Sequence, residues 1–260
     1  MTDEIVNRYF NQKHVLRFTD GDHVFFTSDL HFWHKAIIGF CNRPFKSIEE
    51  MNETIIKNWN EKVGKDDTVF ILGDFCFGGS KAWTEILDQL NGHKHFLIGN
   101  HDMKNLRQGF MNRFETIAFQ QSIYVGDQFI YLNHFPFLCY AGSYRKDKPV
   151  WQLFGHLHSQ DIHYNIENIE DPEVKEILKK DFARLQYLFP YQYDVGVDKN
   201  NFTPISFNEI KAKIDQQVIE YNNKLKEITE NETQVQKNKC WTLFISRVRN
   251  KFRRLLQSRA

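Results

Sequence analysis

The chain is poor in several things, and each shortage excludes a class. It has four cysteines, at 41, 76, 139 and 240, with no CxxC pair among them. They read as reduced thiols, so the chain is expected to be cytoplasmic rather than a disulfide-stapled secreted protein. No stretch reaches the roughly 18 consecutive apolar residues that a membrane-spanning helix requires. Met1-Thr2-Asp3-Glu4 offers neither a basic start nor an apolar run, so no secretory signal is expected. Net charge is also scarce, at +1, but its distribution is uneven. Residues 240–260 hold six basic side chains and no acid, which leaves 28 basic against 33 acidic in residues 1–239, a net of −5. A body of that sign is ill suited to gripping a polyphosphate backbone, where Lys and Arg must replace counterions.

What is present is a globular composition. There are 260 residues, 41% hydrophobic with 24 Phe, enough for one large α/β domain. The Phe excess reads as core rather than as a base-stacking platform. The most informative stretch is His95-Phe96-Leu97-Ile98-Gly99-Asn100-His101-Asp102, an apolar run that ends in glycine and three polar groups. Such a run reads as a buried strand, and the ends of strands are where α/β sheets bind ligands. The same grammar recurs. Val24 to Ser28 ends in Asp29-Leu30-His31, and Thr68 to Leu72 in Gly73-Asp74. Phe129 to Leu132 ends in Asn133-His134, and Trp151 to Phe154 in Gly155-His156-Leu157-His158.

Between these strands the pattern predicts helices. Ser47 and Glu50 form a capping box ahead of a stripe of Ile48, Met51, Ile55 and Trp59. Ser80 is the expected cap of a second helix, with Trp83, Ile86, Leu87 and Leu90 inward and Gly92 closing it. The segment Phe75 to Gly79 reads as a mobile loop. Val15 to Phe18, Asp20-Gly21 and Val24 to Thr27 resemble a hairpin. Asp171-Pro172 opens a helical insertion over about residues 171–189, beside the strand Tyr193 to Val197. Ser206 and Glu209 box in a last helix, with Phe207, Ile210, Ile214, Val218, Tyr221, Leu225 and Ile228 on one stripe.

The resulting organisation is a domain over 1–229, a polar linker over 230–239 and a basic amphipathic helix over 240–260. That helix would carry Trp241, Phe244, Ile245, Val248, Phe252, Leu255 and Leu256 on one face. It suits docking to a membrane surface or a protein partner, or packing on the body, which leaves a membrane-peripheral location open.

The strand endings together supply Asp29, His31, Asp74, Asn100, His134, His156 and His158, with His101 alongside. Carboxylate, imidazole and amide without thiolate select a borderline divalent ion: manganese, iron, zinc or nickel, with manganese favoured. Seven such side chains exceed one open catalytic site and suit two ions sharing a carboxylate, the arrangement that clamps both oxygens of a phosphoryl displacement.

Asp29-Leu30-His31, Gly73-Asp74, Gly99-Asn100-His101-Asp102, His134 and Gly155-His156-Leu157-His158 resemble, in order, the five motifs of the calcineurin-like metallophosphoesterases. Phe32-Trp33-His34, Asn42-Arg43-Pro44-Phe45 and Asp194 to Asp198 are similar to a small prokaryotic and phage branch of them. The resemblance implies a four-layer α/β/β/α sandwich of two mixed sheets flanked by helices. It implies Asp29, His31 and His158 on one ion, Asn100, His134 and His156 on the other, and Asp74 between them. It also implies attack on phosphorus by a metal-bound hydroxide, with His101 protonating the leaving oxygen or stabilising its charge and Asp102 orienting the His101 ring.

His34 is expected either to pack behind His31 or to touch substrate, and Arg43 either to clamp a phosphate or to lie in a solvated loop. His14, His23, His93, His95 and His163 read as structural or surface residues. The expected activity is hydrolysis of a small phosphomonoester or phosphodiester, a nucleotide among the candidates. Two alternatives stand beside it: a nuclease of the same fold, which the −5 body disfavours, and a scaffold that has lost its chemistry, which the complete motif set disfavours.

Overall fold

The computed structural model describes residues 15–104, 111–145, 147–158, 170–176 and 188–229. Thirteen strands and helices carry the site: β1 (Leu16–Phe18), β2 (Val24–Thr27), α1 (Lys35–Phe40), α2 (Ile48–Lys62), β3 (Thr68–Ile71), α3 (Ser80–Leu87), β4 (His93–Leu97), β5 (Thr116–Ala118), β6 (Gln120–Val125), β7 (Gln128–Asn133), β8 (Trp151–Phe154), β9 (Gln192–Asp194) and β10 (Ile205–Ser206). They form two mixed sheets, in the orders β1-β6-β7-β8-β9 and β10-β2-β3-β4-β5. The α/β class read from the sequence is what is observed.

Strands β2 to β5 run parallel, so their carboxyl ends lie side by side. Strands β7, β8 and β9 are parallel too. The apolar runs of β2, β3, β8 and β9 are buried on both faces, as parallel strands require, whereas β7 alternates between buried and half-buried residues. On one face, Val69 and Ile71 of β3 and Phe96 of β4 join Met51, Ile55 and Trp59 of α2 and Trp83, Ile86 and Leu87 of α3. On the other, Phe70 meets Phe18 of β1 edge to face at 5.7 Å, which brings the two sheets into contact.

The helix starts are nearly as predicted. Glu50 N donates to Ser47 Oγ at 3.2 Å, but the Glu50 carboxylate reaches back to Lys46 N rather than Ser47 N. The Ser206–Glu209 box closes in both directions. Ser80 is the first helical residue, not the cap. Gly79 takes the cap position, with no side-chain bond.

Two further sequence expectations fail, and two strands were not foreseen. β1 and β2 are not a hairpin: β1 pairs parallel with β6, and β2 pairs with β3 and β10. Strands β5 and β6 carry no legible signal. Gln121 is buried on the same face of β6 as Ile123 and Val125, a polar residue that breaks the apolar alternation. The Phe75–Gly79 segment is stitched in place: Phe77 N donates to Phe32 O and Trp83 Nε1 to Cys76 O.

By contacts, the chain divides into Met1–Ile214 and Asp215–Ala260. Residues 207–229 are helical, and their apolar stripe is buried as far as Ile214 but exposed at Tyr221, Leu225 and Ile228. Of the predicted 171–189 insertion, residues 172–176 are helical and 177–187 lie outside the described residues. The linker and basic helix predicted over 230–260, like His14 and His163, also lie outside them. Among the described residues, no helix is long and apolar enough to cross a membrane.

His95 is structural, as expected. It stacks on Phe70 at 4.6 Å, and its Nδ1 sits 2.8 Å from Thr116 Oγ1. Burial pushes its imidazole down to about 4. The unfolded chain takes up that proton near pH 6.5, while the folded one resists until about pH 4. Stability present above pH 6.5 is therefore lost as pH falls through that window, by up to ~3 kcal/mol. A His95→Gln variant should lose correspondingly less. Urea unfolding of both proteins at pH 7 and pH 4.5 measures the difference, and equal acid losses would exclude His95 as the titrating group.

Candidate metal centre

The site is built where chain leaves strand. After β2, Asp29 N donates to Gly73 O, His31 N to Asp74 O and Phe32 N to Phe75 O, so the loops after β2 and β3 stay paired beyond the sheet. From the second sheet, His134 Nδ1 lies 2.7 Å from Leu72 O at the end of β3, and Gly155 N donates to His134 O. Ser28 bridges to Gly196. These links bring all five motifs to one place.

The backbone there is strained. Asp29, His31, Asp74, His156 and His158 all have positive φ, between 52° and 70°. Each such residue costs about 1–2 kcal/mol unless its surroundings hold it, and such strain gathers at functional sites. The glycines beside the motifs have a steric cause. A Cβ at Gly99 would lie 2.2 Å from Asp74 Oδ1, and one at Gly155 would lie 2.4 Å from Asp29 Oδ2.

Two clusters of donor atoms result, Asp29 with His31 and His158, and Asp74 with His134 and His156. In each, the atoms lie within 4.8 Å of one another. Asp74 Oδ2 joins them, at 3.6 Å from His31 Nε2 and 3.4 Å from His134 Nε2. Asn100 Oδ1 lies 2.9 Å from His134 Nε2, so all seven predicted ligand side chains converge. Asp29 Oδ1 and His31 Nε2 are buried without any hydrogen-bond partner. An unpartnered buried carboxylate oxygen and ring nitrogen in one donor cluster are what a bound cation would satisfy, so the residues fit a divalent ion.

Protonation follows the same geometry. Burial, with the charges of His158 and Arg43, holds His31 well below the ordinary histidine value, and burial brings His156 to about 4. Burial alone would lower His134, but its bond to Asp74 and the charge of Asp29 bring it up to about 9. Burial likewise opposes the Asp198 hydrogen bond at His158, which prevails and raises that ring to about 11. A metal ion binding here displaces those protons.

Outside the candidate ligands, the structure revises two expectations, for Arg43 and Asp102, and meets one of the two alternatives for His34. Arg43 does not face substrate. Its Nε and Nη2 bind Asp198 bidentately at 2.8 Å, Nη2 also donates to Asp29 O, and Nη1 donates to Leu30 O and to Met51 Sδ. All five guanidinium hydrogens are committed to protein, so none is left for a phosphate. Asp102 does not orient the His101 ring. Its carboxylate accepts from the backbone N–H groups of Asp74, Phe75 and Gly99, and so holds two motif loops together. His34 packs behind His31, with the two Nδ1 atoms 3.1 Å apart. His101 stands at the edge of the clusters, its Nε2 3.9 Å from Asp74 Oδ2 and its side chain 46% exposed.

One functional residue had no role assigned from sequence. Asp198 Oδ2 lies 2.9 Å from His158 Nδ1, fixing that ring so that Nε2 turns towards Asp29. Buried Cys41 sits beside this pair. The only signal was the acidic pair in Asp194 to Asp198, and Asp198's partner Arg43 is 155 residues away in the chain.

Residues 23–189 match the calcineurin-like phosphoesterases, and the chain belongs to that family. It is a metal-dependent phosphoester hydrolase. An uncharacterized protein of Methanocaldococcus jannaschii, MJ1445, is 34% identical over 194 residues, 74% of this chain and 91% of that protein. The gene 66 protein of Mycobacterium phage L5 is 32% identical over 162 residues, covering 52% of this chain and 76% of the phage protein. A crystal structure of a protein of unknown function from Aquifex aeolicus, AQ665, shares the fold with a TM-score of 0.51 at 23% identity, over 73% of this chain and 97% of that one.

Proposed function

We propose that this chain hydrolyses a small phosphomonoester or phosphodiester at two divalent ions, manganese foremost, with a nucleotide among the candidate substrates. The observation that carries this is the place of Asp74 Oδ2, within 3.6 Å of His31 Nε2 in one donor cluster and 3.4 Å of His134 Nε2 in the other. Asp29, His31 and His158 would hold one ion, Asn100, His134 and His156 the other, and Asp74 both. Bound there, the ions supply charge for the phosphoryl oxygens and acidify a water.

The remaining work falls to the protein. Arg43 and Asp198 fix His158. Asp102 fixes the loops that present Asp74 and Asn100. His101, exposed at the edge, would give a proton to the leaving oxygen. The small-substrate reading is supported by the net charge of −5 over residues 1–239, which disfavours grip on a nucleic acid backbone.

The test is purified protein reconstituted with manganese, iron, zinc or nickel and offered mononucleotides, cyclic nucleotides, dinucleotides, phosphosugars and nitrophenyl phosphate esters. Phosphate-ester cleavage with at least one metal, abolished by chelator, is expected. No cleavage of any of them with any metal would overturn it.

A further inference from the structure

The phenylalanines of this chain are not all core. Phe40, Phe77 and Phe135 are 65%, 38% and 43% exposed, and so is Trp33 at 40%. All but Trp33 have ring contacts to histidines of the site, and Trp33 lies between His31 and His34 in the chain. Exposed aromatic surface costs free energy in water and is informative when it clusters beside a catalytic centre.

Phe77 is the best placed. Its ring stacks on His34 at 3.6 Å and 7°, and lies 5.2 Å from His31 and 5.0 Å from His101. Its backbone is fixed by the bond from Phe77 N to Phe32 O at 2.8 Å, so the ring is held rather than loosely exposed. Trp33, a bulky residue, adopts a left-handed φ of 60°. A bulky residue in that region is a true outlier and is retained only where its surroundings enforce it. Here its N–H is held by Asn52 Oδ1 at 3.3 Å. On the other flank, Phe135 lies 4.9 Å from the His134 ring and 4.7 Å from that of His156.

We infer that Phe77, supported by His34 and flanked by Trp33, is a stacking surface for a nucleobase on the leaving-group side of the scissile phosphate. This rests on the phosphoesterase reading and on the placing of His101 at the leaving oxygen. The base is the fitting occupant because its π-face matches a ring surface without needing a charged partner. A sugar intervenes between base and phosphorus, which suits a ring such as Phe77 that lies beside both His101 and the His31 side of the donor clusters. An aromatic leaving group joined directly to phosphorus is the competing occupant.

The experiment uses the metal-loaded full chain and three substrates: a thymidine dinucleotide diester, the same diester lacking the base on the leaving side, and nitrophenyl phosphate. Stacking one base onto an aromatic side chain is worth about a tenfold effect or more. Wild type should therefore cleave the base-bearing diester about 10-fold better in kcat/KM than the base-free one. Phe77→Leu should lose that advantage, chiefly through KM, with the base-free diester changed less than about threefold. Phe77→Tyr, which keeps the ring, should retain it.

Equal losses on both diesters would reduce Phe77 to a support for His34 and overturn the inference. So would a Phe77→Leu defect seen only with nitrophenyl phosphate, which would assign the surface to a directly attached aryl group. Cleavage of nitrophenyl phosphate with no cleavage of either diester would overturn it while leaving the phosphoesterase reading intact. Failure on all three substrates and on the wider panel would remove both together.

Discussion

Asp74→Asn is expected to yield a folded protein with reduced metal content and no measurable activity. The Asp74 carboxylate is buried and shared: Oδ2 faces His31, His134 and His101 at 3.6, 3.4 and 3.9 Å, while Oδ1 accepts from His101 N at 2.9 Å. The amide is nearly isosteric, so the loops should hold, but it carries no charge to neutralise two cations. Its NH₂ group, if turned inward, would point donors at the ring nitrogens and the ions. The loss should exceed the ~10–100-fold typical of residues that only support a metal ligand. Asn100→Ala is the comparison, since with two ions bound as proposed it would remove a ligand from one only and should leave the other bound. Metal analysis of the purified variants, with thermal unfolding to confirm the fold, separates the two. Chelator should silence wild type, and added metal should restore it. Full activity of metal-free protein in excess chelator would end the proposal.

The second large effect concerns His101, and its signature is dependence on the leaving group. His101 lies outside both donor clusters, so His101→Asn should keep nearly all its metal. If the ring protonates the departing oxygen, its loss matters only where that oxygen needs a proton. General acid catalysis commonly contributes about 10²–10⁴-fold, so the variant should lose that much on an alkyl phosphate ester. A nitrophenolate leaves readily as an anion, and the same variant should lose far less on nitrophenyl phosphate. Equal losses on both would assign His101 to charge stabilisation or substrate positioning, and a variant stripped of metal would make it a ligand.

Asp102→Asn gives a useful contrast. Because its oxygens hold the Asp74, Phe75 and Gly99 amides, an amide there turns a donor towards donors. Its effect should be a stability loss of about 1–3 kcal/mol and an equal rate loss on both esters, not a milder copy of His101→Asn.

What the sequence determined by itself was local. A run such as Phe96-Leu97-Ile98 is a buried strand because it can be little else, and the polar residues just past its end must face a crevice, so all seven candidate ligands were legible. The capping serines at 47 and 206 were legible for the same reason, since a cap bonds within three residues of itself. Tertiary structure alone decided whatever depends on a distant partner. β1 left β2 for β6 because pairing is settled by which buried faces meet, and a short turn between two strands does not settle it. Arg43 gave its guanidinium to Asp198, and Asp102 its carboxylate to three backbone amides, because a buried charged group left unpartnered is costly. In the sequence, Arg43 looked free to meet a phosphate and Asp102 free to orient the His101 ring. Only the fold showed their hydrogen-bonding capacity already spent, and showed Phe77 laid against His34 at the open edge of the site.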